Sequence, residues 1–91
     1  MKVRATIVVR GMVQGVGFRY YAYRHAKALG LKGYVKNQWD GSVLSEVEGE
    51  RGMVEEYIKA LKVGSRLSSV RDVDIHWAEY SGEFDSFEVA F

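Results

Sequence analysis

Three features of the chain predict an α+β sandwich of the split βαβ kind, an antiparallel sheet carrying two helices on one face. Apolar residues alternate in several short stretches, as they do in half-buried strands. Two longer stretches repeat apolar residues every three or four positions, as amphipathic helices do. The order is strand, helix, strand, strand, helix, strand, with a short strand added at the end.

Residues 2–10 form the first strand, with Val3, Ala5, Ile7 and Val9 on a covered side and Lys2, Arg4, Thr6 and Arg10 on the other. The first helix runs from about Phe18 to Leu29, through Ala22 and Ala26, and stops at Gly30, the residue type expected just past a helix end. Tyr20, Tyr21 and Tyr23 read as packing on the sheet or its rim, and His25 as structural. A second strand covers 32–39, and Asp40-Gly41 signals a hairpin whose turn has two or four residues. The returning strand carries Val43, Ser45 and Val47. A second helix over about 52–63 shows Val54, Tyr57, Ile58 and Leu61 on one face and ends at Gly64. After a polar loop, Val73, Ile75 and Trp77 alternate with Asp74 and His76, which places His76 on the solvent face or a rim. Phe87, Val89 and Phe91 make the last short strand.

With 91 residues, 47% of them apolar, residues 1–91 read as one domain able to bury a core. Thirteen basic against twelve acidic residues give a net charge of +1, so charge alone calls for no nucleic acid. The absence of cysteine excludes a disulfide framework and a thiolate metal site, and His25 and His76 are a poor metal pair. The first residues already read as strand and no stretch resembles a signal peptide or membrane span, so a cytoplasmic chain, monomeric by default, is expected. Amide side chains are scarce: Asn37, Gln14 and Gln38 are the only ones. That scarcity fits a thermophilic source, whereas ten glycines and no proline do not.

The chemistry is concentrated in Gly11-Met12-Val13-Gln14-Gly15-Val16-Gly17-Phe18-Arg19, between the first strand and first helix. Glycines there free the backbone to turn several N–H groups inward, a concave anion site at a helix N-terminus. Arg19 adds a planar fork of donors suited to a phosphoryl group. A nucleotide P-loop requires a second glycine where Val16 stands, followed by Lys and Ser or Thr, and a dinucleotide loop requires one where Tyr20 stands. A cysteine phosphatase would need Cys where Val13 stands. The cradle and the arginine are therefore present without a loop nucleophile. In a split βαβ sheet the first and second strands are parallel, with the third between them. Their C-terminal ends then lie two strand spacings apart, roughly 10 Å. The glycine loop would thus face Asn37 across a gap that admits a phosphoryl group and one water.

The stretch from Gly11 to Arg19, with Gly33-Tyr34-Val35-Lys36-Asn37-Gln38-Trp39-Asp40-Gly41-Ser42-Val43, resembles the acylphosphatase family. The first motif is long and specific, and the matching order of elements extends the resemblance from end to end. The resemblance implies a ferredoxin-like sandwich that hydrolyses the carboxyl–phosphate anhydride of acyl phosphates, without metal or cofactor. It assigns catalysis to Arg19 and Asn37, and phosphate binding to Gln14, Gly15, Val16, Gly17, Phe18 and Arg19. Gln38 stands where many members have Thr.

That chemistry suits the residues present. The leaving carboxylate has a conjugate-acid pKa of about 4, so it departs without a general acid. Phosphoryl transfer is largely dissociative, and positioning and charge stabilisation supply most of the catalysis. Loop amides and Arg19 would hold the phosphoryl oxygens, and Asn37 would aim the water. The competing reading is a non-catalytic module on the same fold. RNA binding would need exposed aromatics on central strands, and Tyr34 is the only aromatic in residues 32–38. An anion-sensing domain would use the loop and Arg19 but would give Asn37 no task.

Overall fold

The computed structural model describes residues Met1–Phe91. Its elements are β1 (Lys2–Met12), α1 (Phe18–Ala28), β2 (Lys32–Asn37), β3 (Val43–Glu50), α2 (Arg51–Val63), β4 (Ser69–Glu79) and β5 (Phe87–Val89). The strands form a single sheet in the order β4-β1-β3-β2-β5. Both helices lie on the face lined by Val3, Ala5, Ile7 and Val9, where they bury Phe18, Ala22 and Ala26 from α1 and Val54, Tyr57, Ile58 and Leu61 from α2. Each such large apolar side chain contributes about 1.5–3 kcal/mol of burial. Ser45, the one polar side chain facing α2 from the middle of β3, is matched by the Tyr57 hydroxyl at 2.8 Å. No helix is long and apolar enough to cross a membrane.

β1 and β2 each pair antiparallel with β3, so they run parallel to one another as expected. The sheet as a whole is mixed rather than antiparallel, because β5 joins β2 in the parallel sense. The cause is the connection from β4. It leaves the far end of the sheet and crosses the helix-free face, where Ser81 and Glu83 meet Arg4 and Phe84 packs on Tyr34. β5 then has only the direction of β2 available. In consequence the C-terminal ends of β1, β2 and β5 all emerge at one edge, and Ala90 and Phe91 are delivered there with them.

Four boundaries differ from the sequence reading, the last strand among them, since β5 ends at Val89 and leaves Phe91 beyond it. β2 ends at Asn37, because Gln38 donates its N–H to the Ser42 carbonyl and Gly41 donates to the Gln38 carbonyl. The turn thus has three residues, Trp39 to Gly41, with Gly41 at φ +91° supplying the left-handed position such turns require. β4 is longer than its apolar alternation, since β1 hydrogen-bonds it as far as Ser69 and Glu79. Gly11 belongs to β1 rather than to the loop. It sits at a break in register against β4, where a Cβ would come within 2.2 Å of the Ser69 carbonyl oxygen.

Candidate active site

Strand alternation places Asn37 on the face of Val35, which is the helix face, while Tyr34 and Lys36 point the other way. Asn37 is also the last rung of β2, opposite Val43, which in turn faces Val9 of β1. The chain beyond β1 folds back over this same edge as the loop from Val13 to Gly17. Val13 and Phe18, each 1% exposed, anchor the two ends of the loop in the core. Gly15 at φ +73° and Gly17 at φ +75° take the left-handed conformations between them.

Gly17 is the N-cap of α1 and provides no capping side chain. A Ser, Thr, Asp or Asn there would satisfy one of the orphan helix N–H groups. None of the N–H groups from Val13 to Tyr20 finds an acceptor in the protein. Alternating backbone conformation at a helix N-terminus, with its donors unpaired, is the construction of an anion nest.

A cavity of about 160 Å³ opens at this point, lined by Val13, Gly15, Gly17, Phe18, Arg19, Tyr20 and Asn37. Within it the Asn37 Oδ1 is buried and has no hydrogen-bond partner. Arg19 donates to the Ala90 carbonyl at 3.0 Å, and its guanidinium lies 4.8 Å from the centre of the Phe91 ring. No carboxylate pairs with it, so its charge is available. A shallower groove continues from Asn37 past Lys36, Trp39 and Phe91, with both aromatic rings open to solvent.

The structure brings Arg19 and Asn37 together, 18 positions apart in the chain, with Gly15, Gly17 and Phe18 around them. Phe18 can offer only its backbone, since its ring is in the core. Val16 packs against the core from outside and does not line the cavity. Gln14 does not line it either; its side chain reaches the hairpin and donates to the Gln38 carbonyl at 2.7 Å and the Ser42 carbonyl at 2.8 Å. In the same hairpin the Ser42 hydroxyl and N–H hold the Asp40 carboxylate below its ordinary range. Sequence reasoning missed the part of Ala90 and Phe91, which hold Arg19 across 71 and 72 positions and carry no local motif.

Comparison with known proteins gives the same architecture a chemistry. The family described as Acylphosphatase matches residues 5–89. An acylphosphatase of Archaeoglobus fulgidus is 47% identical over 85 residues, covering 93% of this chain and 94% of the relative. One from Pelotomaculum thermopropionicum is 41% identical over 90 residues, 99% of this chain and 98% of the relative. The crystal structure of acylphosphatase from Bacillus subtilis superposes with a TM-score of 0.94 at 34% identity, over 98% of this chain and 99% of that one. An enzyme is thereby defined, a hydrolase acting on an acid anhydride. The chain belongs to the acylphosphatase family, and its reaction is the hydrolysis of acyl phosphates.

Proposed function

We propose that the two polar groups of this cavity divide the reaction between them. The free N–H groups from Gly15 to Arg19, with the Arg19 guanidinium, hold the phosphoryl oxygens. The Asn37 carboxamide binds the attacking water and aims it at phosphorus. The observation that carries this division is the pairing of opposites in one cavity: a row of donors without acceptors facing an acceptor without a donor. An anion supplies the first with acceptors, and a water supplies the second with a hydrogen. The buried Asn37 Oδ1, left unmet, carries a penalty of about 1–3 kcal/mol, which binding relieves.

A neutral amide is no base near pH 7, so the water proton passes to the substrate's own phosphate oxygen or to bulk water. The P–O bond to the acyl oxygen breaks, the carboxylate leaves with the electron pair, and no covalent enzyme intermediate forms. The open groove beyond Asn37 constrains the acyl portion little, so small acyl phosphates of varied structure are substrates. Residues 1–91 act in this reading as one unit, a monomer in the cytoplasm; one continuous sheet supports the single unit.

Hydrolysis in oxygen-labelled water tests the arrangement. Label is expected in inorganic phosphate and none in the carboxylate, with no burst of carboxylate release ahead of turnover. Label in the carboxylate would mean attack at carbon, which this geometry does not support.

A further inference from the structure

We infer that Gln14 is a positioning residue for Asn37, setting the distance between the phosphate-gripping loop and the water-aiming amide. The inference rests on Asn37 aiming the water, as proposed above. Gln14 leaves the loop and crosses to the hairpin, where its Nε2 donates to Gln38 O at 2.7 Å and to Ser42 O at 2.8 Å. Both amide hydrogens are thereby occupied. The remaining Oε1 is an acceptor and repels a phosphoryl oxygen, so the side chain has nothing to offer the substrate.

What it grips is specific. Asn37 and Val43 form the last rung of β2 and β3, and Gln38 and Ser42 are the residues immediately beyond them. The Gln38 N–H donates to the Ser42 carbonyl at 2.9 Å, and the Gln38 Nε2 donates to the Ser42 hydroxyl at 2.9 Å. Ser42 Oγ in turn donates to Asp40 Oδ1 at 2.5 Å. The hairpin is therefore closed on itself and joined to the loop by one side chain, next to Asn37. A displacement of about 1 Å in a reacting group costs up to about 10²-fold in rate. One amide bridging the two halves of the site is placed to prevent such a displacement.

The test compares Gln14→Leu, Asn37→Ala and the double variant, with turnover and inhibition by inorganic phosphate measured well below each melting temperature. Gln14→Leu is expected to lower turnover between about 10-fold and 10²-fold, with phosphate inhibition changed less than about 2-fold. Gln14→Glu, the same shape with an anion facing two carbonyls at neutral pH, is expected to be no better. Adding Gln14→Leu to Asn37→Ala should lower turnover no further, because the bridge acts through Asn37. Amide exchange at Gln38 should quicken in Gln14→Leu while that of α1 does not; if Leu prevents folding, Gln14→Met carries the same comparison. Losses that multiply independently in the double variant, or phosphate inhibition weakened in step with turnover, would overturn the inference. Near-normal turnover in Asn37→Ala alone would break the water-aiming reading itself, and is recognisable whatever Gln14 does.

Discussion

Arg4 and Arg19 are both half-buried arginines on the same small sheet sandwich, yet their surroundings are opposite. Arg4, under the helix-free face, donates to Glu46 at 2.7 Å, to Ser81 Oγ at 2.9 Å and to Glu83, and lies 3.7 Å from Glu48. The Phe84 ring covers it at 5.1 Å. Hydrogen bonds from its guanidinium to Glu46 and Glu83 raise its pKa still further. Arg19 has one carbonyl, one aromatic ring and no carboxylate. The same contrast separates the acceptors. Glu48 is 2% exposed, and its Oε2 accepts from the N–H and hydroxyl of Ser81 and the N–H of Gly82, leaving one oxygen over. Asn37 Oδ1 is as buried and accepts nothing. Glu48, held by three donors on one oxygen, is tied into the fold, whereas Asn37 Oδ1 accepts from none and lies at the cavity that Arg19 also lines. Residue type alone does not distinguish the two.

The largest effect should come from exchanging these arginines for alanine. Arg19→Ala is expected to reduce turnover by about 10³-fold or more, the scale of removing an arginine from a phosphoryl-transfer site. It should also weaken phosphate inhibition while leaving the melting temperature nearly unchanged. Arg19→Lys should not restore activity, because a point charge lacks the planar fork. Arg4→Ala should do the reverse. It leaves three carboxylates without their shared cation and should destabilise by about 3 kcal/mol, with turnover per folded molecule unchanged. Kinetics and denaturant unfolding on both variants settle this, and equal stability losses would erase the distinction.

Asn37→Ala sharpens it further. Turnover is expected to fall by about 10²-fold, the range of losing one positioned polar contact, roughly 2.7–4 kcal/mol. Phosphate inhibition should change much less. Stability should hold or rise, because the substitution removes a buried acceptor whose unmet hydrogen bond costs about 1–3 kcal/mol. Greater stability with lower activity is the mark of a functional orphan. A destabilised Asn37→Ala with near-normal turnover would instead make Asn37 a support of the hairpin.

The parts of this site that are legible in the sequence are those encoded locally. Alternation in Val3 to Val9 and helical spacing from Phe18 to Ala26 mark elements whose apolar faces need each other, and their order fixes which strand ends meet. Asn37 and Arg19 follow from that order together with motif resemblance. The rest depends on partners distant in the chain. Gly11 has the look of a loop glycine, but its reason is the Ser69 carbonyl across the sheet. β4 carries Arg71, Asp72, Asp74 and Glu79, as an edge strand with one solvated side can, so its ends are invisible to an apolar count. The parallel pairing of β5 comes from the path of residues 80–86, which no local propensity sets. Gln14 reads as a phosphate ligand because it stands in the loop, and only the folded hairpin shows where its two hydrogens go.

The smallest effect, and the one that follows from the partnered side of the comparison, is on acid stability. The Tyr34 hydroxyl and Arg4 together outweigh desolvation and hold Glu46 below its ordinary value of 4.5. Burial alone would raise Glu48, but the donors from Ser81 and Gly82 outweigh it and lower that carboxylate as well. A carboxylate whose folded pKa is depressed binds its proton more readily in the unfolded chain. Its contribution to stability is therefore complete above about pH 4.5 and is lost as pH falls through the folded value. Asn37 has no charge to titrate and Arg19 has no carboxylate partner, so these two residues should add nothing to this slope. Denaturant unfolding at pH 7 and pH 4 compares wild type with Glu48→Gln. The variant should be less stable at pH 7 and should lose less on acidification, because the introduced amide takes up no proton in either state. Arg19→Ala should lose as much as wild type between the two pH values. Identical losses in all three would mean that Glu48 is linked to folding no more tightly than an exposed glutamate, and the acid-labile part of the fold would then have to be sought at Glu46.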